Sequence, residues 1–271
     1  MKLKKALTTF ILCGVGILTG CSSQFKTVAE IQEKGKLVVS TNAEFAPFEY
    51  KEGAEYLGID MDLAKEYASY LNVSLEIQDM DFDAALLAVS TNKADFAIAG
   101  ITKNAKREEN LSFSKSYYTA SQVIIVKENS EYSSLTSETE ILNLLSENQA
   151  KIGCQRGTTG QYYIEGDEDW EFEGIASASC ITYDNGALAV TALANGQIDA
   201  VIIDEAPANL YCKKISGVEV LDVVLTEEEY AIAVAKGNDS LVASLNDFID
   251  KMKEEGIFET IINKYYGQAN E

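Results

Sequence analysis

Phe96-Ala-Ile-Ala-Gly-Ile-Thr-Lys-Asn-Ala-Lys-Arg107 is a short apolar run that feeds a loop carrying Gly100, Thr102 and Arg107. Its place in the chain decides the fold. Upstream, Lys36-Leu-Val-Val-Ser40 reads as a buried strand and Ile59 to Leu71 spaces its apolar residues as an amphipathic helix. Val73 to Ile77 alternates as a strand, and Phe82 to Val89 is helical with Leu86 and Val89 inward. With the strand Asp95 to Ala99 this makes a β-α-β-α-β series, which argues a parallel sheet covered by helices. The loop itself suits a small carboxylic acid. Glycine admits a ligand close to the backbone, a hydroxyl donates or accepts, and a guanidinium forks onto a carboxylate. Taken alone, a loop arginine is more often a solvated charge.

The loop after the first strand, Thr41-Asn-Ala-Glu-Phe-Ala-Pro-Phe-Glu-Tyr50, is stiffened by Pro47, which also pushes Ala46 toward extended geometry. It stands at the carboxyl end of a strand, where ligands collect in open α/β sheets. Phe48 is expected in the core, and Phe45 is either core or an aromatic platform. Phe82, at a helix start, points either into a cleft or into the core.

Downstream come Leu111-Ser-Phe-Ser114, Tyr117-Tyr118 and the strand Gln122 to Lys127. Composition turns polar and serine-rich over Glu128 to Glu147, with a helix expected from Glu138 to Leu145. The alternation then starts again: strand Ala150 to Cys154, a Gly-rich turn Gln155-Arg-Gly-Thr-Thr-Gly160 opening a helix, strand Ser179 to Tyr183, helix Asn185 to Ala194, strand Gln197 to Ile203. Free amides at the Gly157 turn would face an anion, although the Gly-Lys-Ser/Thr ending of a phosphate loop is absent. Asp204 stands at a strand end before a helix, a position that favours capping over ligand binding. A strand Glu227 to Ala235 and helices Ser240 to Lys253 and Ile257 to Tyr266 complete two similar α/β units.

Charge and composition narrow the function. The 271 residues hold 22 Lys plus Arg against 43 Asp plus Glu, a net charge of -21 that repels nucleic acid. There is no histidine, which removes Ser-His-Asp and Cys-His catalysis and most zinc sites; no metal or other cofactor is expected. Lys2, Lys4 and Lys5 precede an apolar run from Ala6 to Leu18 and the ending Leu18-Thr-Gly-Cys21. These are the three parts of an export signal, and the run is shorter than the roughly 20 residues a membrane span needs. The pattern resembles a bacterial lipoprotein signal over residues 1–21, which implies that Cys21 is acylated and anchors the protein to the cell membrane, facing outward. Residues 22–35 would be tether and first helix. Of the other cysteines, Cys13 leaves with the signal, and Cys154, Cys180 and Cys212 allow at most one intrachain disulfide; a Cys154–Cys180 bond and buried free thiols are both open.

The residues then match a family. Phe45-Ala-Pro-Phe48, Gly58-Ile-Asp-Met-Asp-Leu63, Phe82-Asp-Ala-Ala-Leu86, Ala99-Gly-Ile-Thr-Lys-Asn-Ala-Lys-Arg107, Phe113-Ser-Lys-Ser-Tyr-Tyr118, Gly157-Thr-Thr159 and Asp199-Ala-Val-Ile-Ile-Asp204 resemble, in order, the extracellular solute-binding proteins (family 3) of polar amino-acid ABC importers. The resemblance implies a two-lobed periplasmic-binding-protein fold of type II. Each lobe would be a mainly parallel α/β sheet flanked by helices, one over residues 36–120 plus 228–271 and the other over 121–227, joined by two hinge crossovers. It implies a monomer that carries a free amino acid to the permease subunits of an importer.

Position by position, the resemblance sets Phe45 and Phe82 against the ligand side chain. Arg107 would clamp the α-carboxylate with the Thr102 hydroxyl and the amides of Thr158 and Thr159. Asp204 and the Gly100 carbonyl would take the α-ammonium. A buried zwitterion needs a counter-charge at each end, and Arg107 and Asp204 come from different units. Asn42 stands where relatives for basic and amide amino acids often have Asp, and Gln155 occupies a variable position lining the side-chain pocket. Those two point to an uncharged polar ligand, while Glu44 and the net charge keep a basic one open. The alternatives are a periplasmic dehydratase-type enzyme on the same fold, with Glu44, Asp204 or a tyrosine as general acid, and a ligand-sensing module.

Overall fold

A computed structural model describes residues 25–268, in which the chain builds two five-stranded sheets and a small three-stranded one. The expected signal, with Cys21, lies outside the described residues. In chain order the strands are β1 (Lys36–Thr41), β2 (Glu44–Phe45), β3 (Glu49–Glu52), β4 (Glu55–Leu57), β5 (Ser74–Asp79), β6 (Phe96–Ala97) and β7 (Leu111–Ala120). They continue with β8 (Gln122–Lys127), β9 (Lys151–Gln155), β10 (Ser179–Tyr183), β11 (Ala200–Asp204), β12 (Val218–Val224) and β13 (Glu228–Ala235).

The first lobe has the order β5-β1-β6-β13-β7 and the second β10-β9-β11-β8-β12. In each, the first three strands are parallel and the fourth is antiparallel to both neighbours, so all but one strand run the same way. The reversed strands, β13 and β8, are the two that enter from the other lobe. Their entry segments lie side by side: the Leu225 N–H donates to the Gln122 carbonyl at 2.9 Å, and the Gln122 N–H to Thr226 Oγ1 at 3.0 Å.

Both faces of each sheet are covered, which is why strands such as Val123-Ile-Ile-Val126 read as unbroken apolar runs. On β1, Leu37 and Val39 pack with Tyr67, Phe96 and Phe248, while Val38 points to the opposite face with Val89, Ala97 and Ala233. On β8, Val123 and Ile125 take one face and Ile124 and Val126 the other. Each such fully buried side chain contributes about 1.5–3 kcal/mol.

The helix Ile59–Leu71 falls where its spacing puts it, and Phe82–Ser90 extends one residue past the expected end. Three features depart from expectation. Leu111–Ala120 is one ten-residue strand rather than two pieces, because it pairs along nearly its whole length with β13. Val218–Val224 is a strand that adds an edge beside β8. The Phe45–Tyr50 loop folds into the small β2-β3-β4 sheet, whose strands pair only with one another. Cys154 and Cys180 are free thiols on neighbouring strands with sulfurs 3.3 Å apart, and Cys212 is free on the helix Glu205–Lys214. Among the described residues no helix is long and apolar enough to cross a membrane.

Candidate functional site

The carboxyl ends of β1, β6, β9 and β11 converge on one narrow cavity between the lobes. Its wall holds all ten residues expected from the sequence: Asn42, Phe45, Phe82, Gly100, Thr102 and Arg107 from the first lobe, and Gln155, Thr158, Thr159 and Asp204 from the second. Glu49 and Ala99 complete it. The lobes touch on both rims. On one, Gln155 Nε2 donates to Asn42 Oδ1 at 2.9 Å and Asn185 Nδ2 to Glu44 Oε2 at 2.8 Å. On the other, Arg107 reaches the second lobe.

Two glycines make the close approach possible. Gly100 has φ 52°, and a Cβ there would lie 3.0 Å from the Phe45 ring and 3.2 Å from Tyr230. Gly157 has φ 75°, and a Cβ would strike Asp83 Oδ1 of the opposite lobe at 2.1 Å. Only glycine takes up both the left-handed backbone and the tight contact without strain.

Arg107 sits in the short helix Ala105–Glu108, which Asn104 caps through its side chain. Its Nη1 donates to the Thr102 carbonyl at 2.7 Å and its Nη2 to the Gly157 carbonyl at 3.1 Å. A guanidinium has five N–H donors, so those left over suffice for a bidentate carboxylate. Burial pulls Arg107 below its ordinary value, opposed by the charge of Glu228; it still stays protonated at neutral pH.

Asp204, 7% exposed, ends β11 and accepts a hydrogen bond from the Tyr230 hydroxyl. Burial pushes it up to about 7, with repulsion from Glu228 adding to the shift and the hydrogen bond from Tyr230 opposing it. It precedes the helix Glu205–Lys214 but makes no side-chain capping bond, so the capping role that its position favours is not what the carboxylate does.

The sequence reading passed over two carboxylates. Glu228 begins β13 and accepts from three hydroxyls: Thr102 at 2.5 Å and Thr159 at 2.8 Å on one oxygen, Thr226 at 2.7 Å on the other. It ties both lobes to the crossover. The Thr102 hydroxyl proton is thereby donated to Glu228. Glu49 is 1% exposed on β3, next to Asp60. Asp60 Oδ2 accepts from the Gly100 N–H at 2.8 Å and the Tyr117 hydroxyl at 2.9 Å. Burial pushes Asp60 up to about 6 and Glu49 well above the usual carboxylate range, with repulsion from Asp60 second for Glu49. The cavity is thus acidic: Glu49 and Asp204 on its wall, Asp60 and Glu228 directly behind, against the one guanidinium of Arg107. A Glu-Tyr pair in a turn-rich stretch carries no local signal of this, and only the β2-β3 pairing turns Glu49 inward.

Phe45 and Phe82 face the cavity, and Phe48 is fully buried, edge-on to Tyr118 and Tyr230 at 4.9 and 5.1 Å. Thr158 and Thr159 open the helix Thr159–Glu165, where first-turn amides lack partners within the helix.

The model of the bacterial extracellular solute-binding proteins, family 3, matches residues 37–268. The arginine-binding extracellular protein ArtP of Bacillus subtilis is 29% identical over 259 residues, covering 94% of each chain. The histidine-binding periplasmic protein of Salmonella typhimurium is 27% identical over 240 residues, 85% of this chain and 87% of that one. An amino acid ABC transporter substrate-binding protein of Streptococcus pneumoniae, solved with bound L-arginine, superposes with a TM-score of 0.78 at 31% identity, covering 90% of this chain and 99% of that one.

Proposed function

The chain belongs to the bacterial extracellular solute-binding proteins of family 3, and from that premise we propose that it binds a basic amino acid between its lobes and hands it to the permease of an ABC importer. The observation that carries the reading is the placing of Arg107 and Asp204 on opposite walls of one closed cavity. A zwitterion left without water needs both charges met, and each lobe supplies one. Arg107 takes the α-carboxylate with amides of the Gly157 turn. Asp204 takes the α-ammonium. Phe45 and Phe82 hold the side chain.

The ligand class follows from the charge inventory. Once Arg107 is spent on the α-carboxylate and Asp204 on the α-ammonium, Glu49 is the carboxylate left on the wall, with Asp60 behind it, and can partner a side-chain cation. Asn42 and Gln155, which from sequence pointed to an uncharged ligand, are hydrogen-bonded to each other and serve to close that rim. The named ligands of the relatives, arginine and histidine, agree with a basic side chain.

Cys21 carries the lipid anchor and tethers the protein, as a monomer, to the outer face of the cell membrane, with residues 22–35 as tether and first helix and the lobes dividing at 120/121 and 227/228. It is a carrier and not an enzyme, and ligand recovered unchanged after prolonged incubation is the result expected of it. Calorimetry with the twenty amino acids tests the function: one-to-one binding of arginine, lysine or histidine is expected. Binding of uncharged amino acids alone would overturn the ligand class, and binding of none would overturn the function.

A further inference from the structure

The guanidinium that clamps the ligand is itself held by an aromatic residue of the opposite lobe. Phe82 lies on one side of Arg107 with 5.2 Å between ring centroid and Cζ, and Trp170 lies at the same 5.2 Å. Phe82 shares the first lobe with Arg107. Trp170 belongs to the second, in the one-turn 3₁₀ helix Glu168–Trp170 whose start is capped by the Asp167 side chain. Trp170 is stacked on Tyr162 at 4.9 Å with 21° between planes, so its ring is braced within its own lobe.

The neighbouring residues repeat the same crossing. Lys106 Nζ lies 2.6 Å from Asp167 Oδ2 and 3.4 Å from Asp169 Oδ2, and 5.6 Å from the Tyr162 ring centroid. All of these contacts join Ala105–Glu108 of the first lobe to Tyr162–Trp170 of the second, and none of them can exist with the lobes apart. A cation over an aromatic face is attracted by the ring quadrupole, and more so where water is excluded. Trp170 therefore meets Arg107 only on closure, and it also fixes the guanidinium at the place where a carboxylate must find it.

We propose that Trp170 is a positioning residue for the carboxylate clamp, and that Lys106 with Asp167 latches it in place. The proposal rests on the reading of Arg107 as that clamp. Because the contacts form after the ligand has entered, they slow its escape and leave its entry unchanged.

L-arginine is the probe, with association and dissociation rates read by stopped flow. Trp170→Ala is expected to release it about tenfold faster with association changed less than about twofold, Trp170→Phe to restore most of the difference, and Lys106→Gln to accelerate release by about two- to threefold. Trp170 is the only tryptophan in the chain, so its emission should change on arginine addition to the wild type. A wild-type release rate in Trp170→Ala, equal impairment of the Phe and Ala variants, or silent emission while calorimetry records binding would each overturn the proposal. Should Trp170→Ala not fold, an unchanged release rate in Lys106→Gln overturns it. Failure of the wild type to bind any amino acid is a different result, and defeats the functional reading itself.

Discussion

The two lobes share strand order and the position of the reversed strand, yet they bring unlike groups to the cavity. The first lobe inserts the small β2-β3-β4 sheet after its leading strand and so presents Phe45 and Glu49, then adds Phe82, Gly100 and Arg107. At the equivalent point the second lobe has only the Gly157 turn and a short helix, and it presents small hydroxyls, one amide and Asp204. One scaffold used twice thus gives two unlike walls to the cavity. The asymmetry lies in the connections after the leading strands, not in the sheets.

The strongest way to break that division is to remove the first lobe's charge. Arg107→Met should abolish binding measurable by calorimetry, a loss of about 3–5 kcal/mol from an unpaired carboxylate in a dry site, with the melting temperature of the empty protein nearly unchanged. Retained affinity would leave Arg107 only a structural link between the lobes.

The second lobe's carboxylate is expected to matter somewhat less, since Asp204→Asn keeps an oxygen that can accept from the ammonium. Asp204→Asn is expected to weaken binding by about 2–3 kcal/mol, read by the same titration. It should also remove a pH dependence. Asp204 is raised to about 7 in the empty cavity and must be ionised to meet an ammonium, so binding expels its proton. Affinity of the wild type should therefore rise with pH through 7 and fall by up to about tenfold per unit below it. Equal steepness in wild type and Asp204→Asn would place that proton elsewhere.

Glu49 separates side-chain reading from backbone reading. Glu49→Gln should cost about 1.5–3 kcal/mol of affinity for arginine while narrowing the preference over glutamine. Loss of affinity for both ligands alike would make Glu49 a structural acid only.

The smallest effect runs opposite to that on affinity. Asp60, raised to about 6, and Asp204 hold more protons folded than unfolded between their ordinary value of 3.8 and the raised ones. Stability of the empty protein is therefore greatest at the low end of that window and is lost as pH rises through 6 to 7. Calorimetric melting should show the empty protein more stable at pH 5 than at pH 8, while the arginine complex shows a weaker trend.

Much of this was legible in the chain. Period and alternation place the repeated β-α units because both sheets are buried on both faces, as in Lys36–Thr41 and Gln122–Lys127. The wall of the cavity was legible through the family resemblance, which put Gly100, Arg107 and Asp204 forward where position alone favoured a surface charge for Arg107 and a cap for Asp204. Glu49, Glu228 and Trp170 were not. Glu49 turns inward only through the pairing of strands too short to leave a pattern. Glu228 gains meaning from hydroxyls on three separate elements. Trp170 sits in Asp167-Glu-Asp-Trp-Glu171, which reads as a solvated acidic loop until the other lobe's Lys106 and Arg107 are beside it.

The account turns on closure of two lobes over an amino acid, and small-angle X-ray scattering of the wild type with and without saturating L-arginine tests it most directly. The radius of gyration should fall on addition of arginine in the wild type and stay constant in Arg107→Met. An unchanged radius in a wild-type sample that calorimetry shows to be fully bound would contradict it.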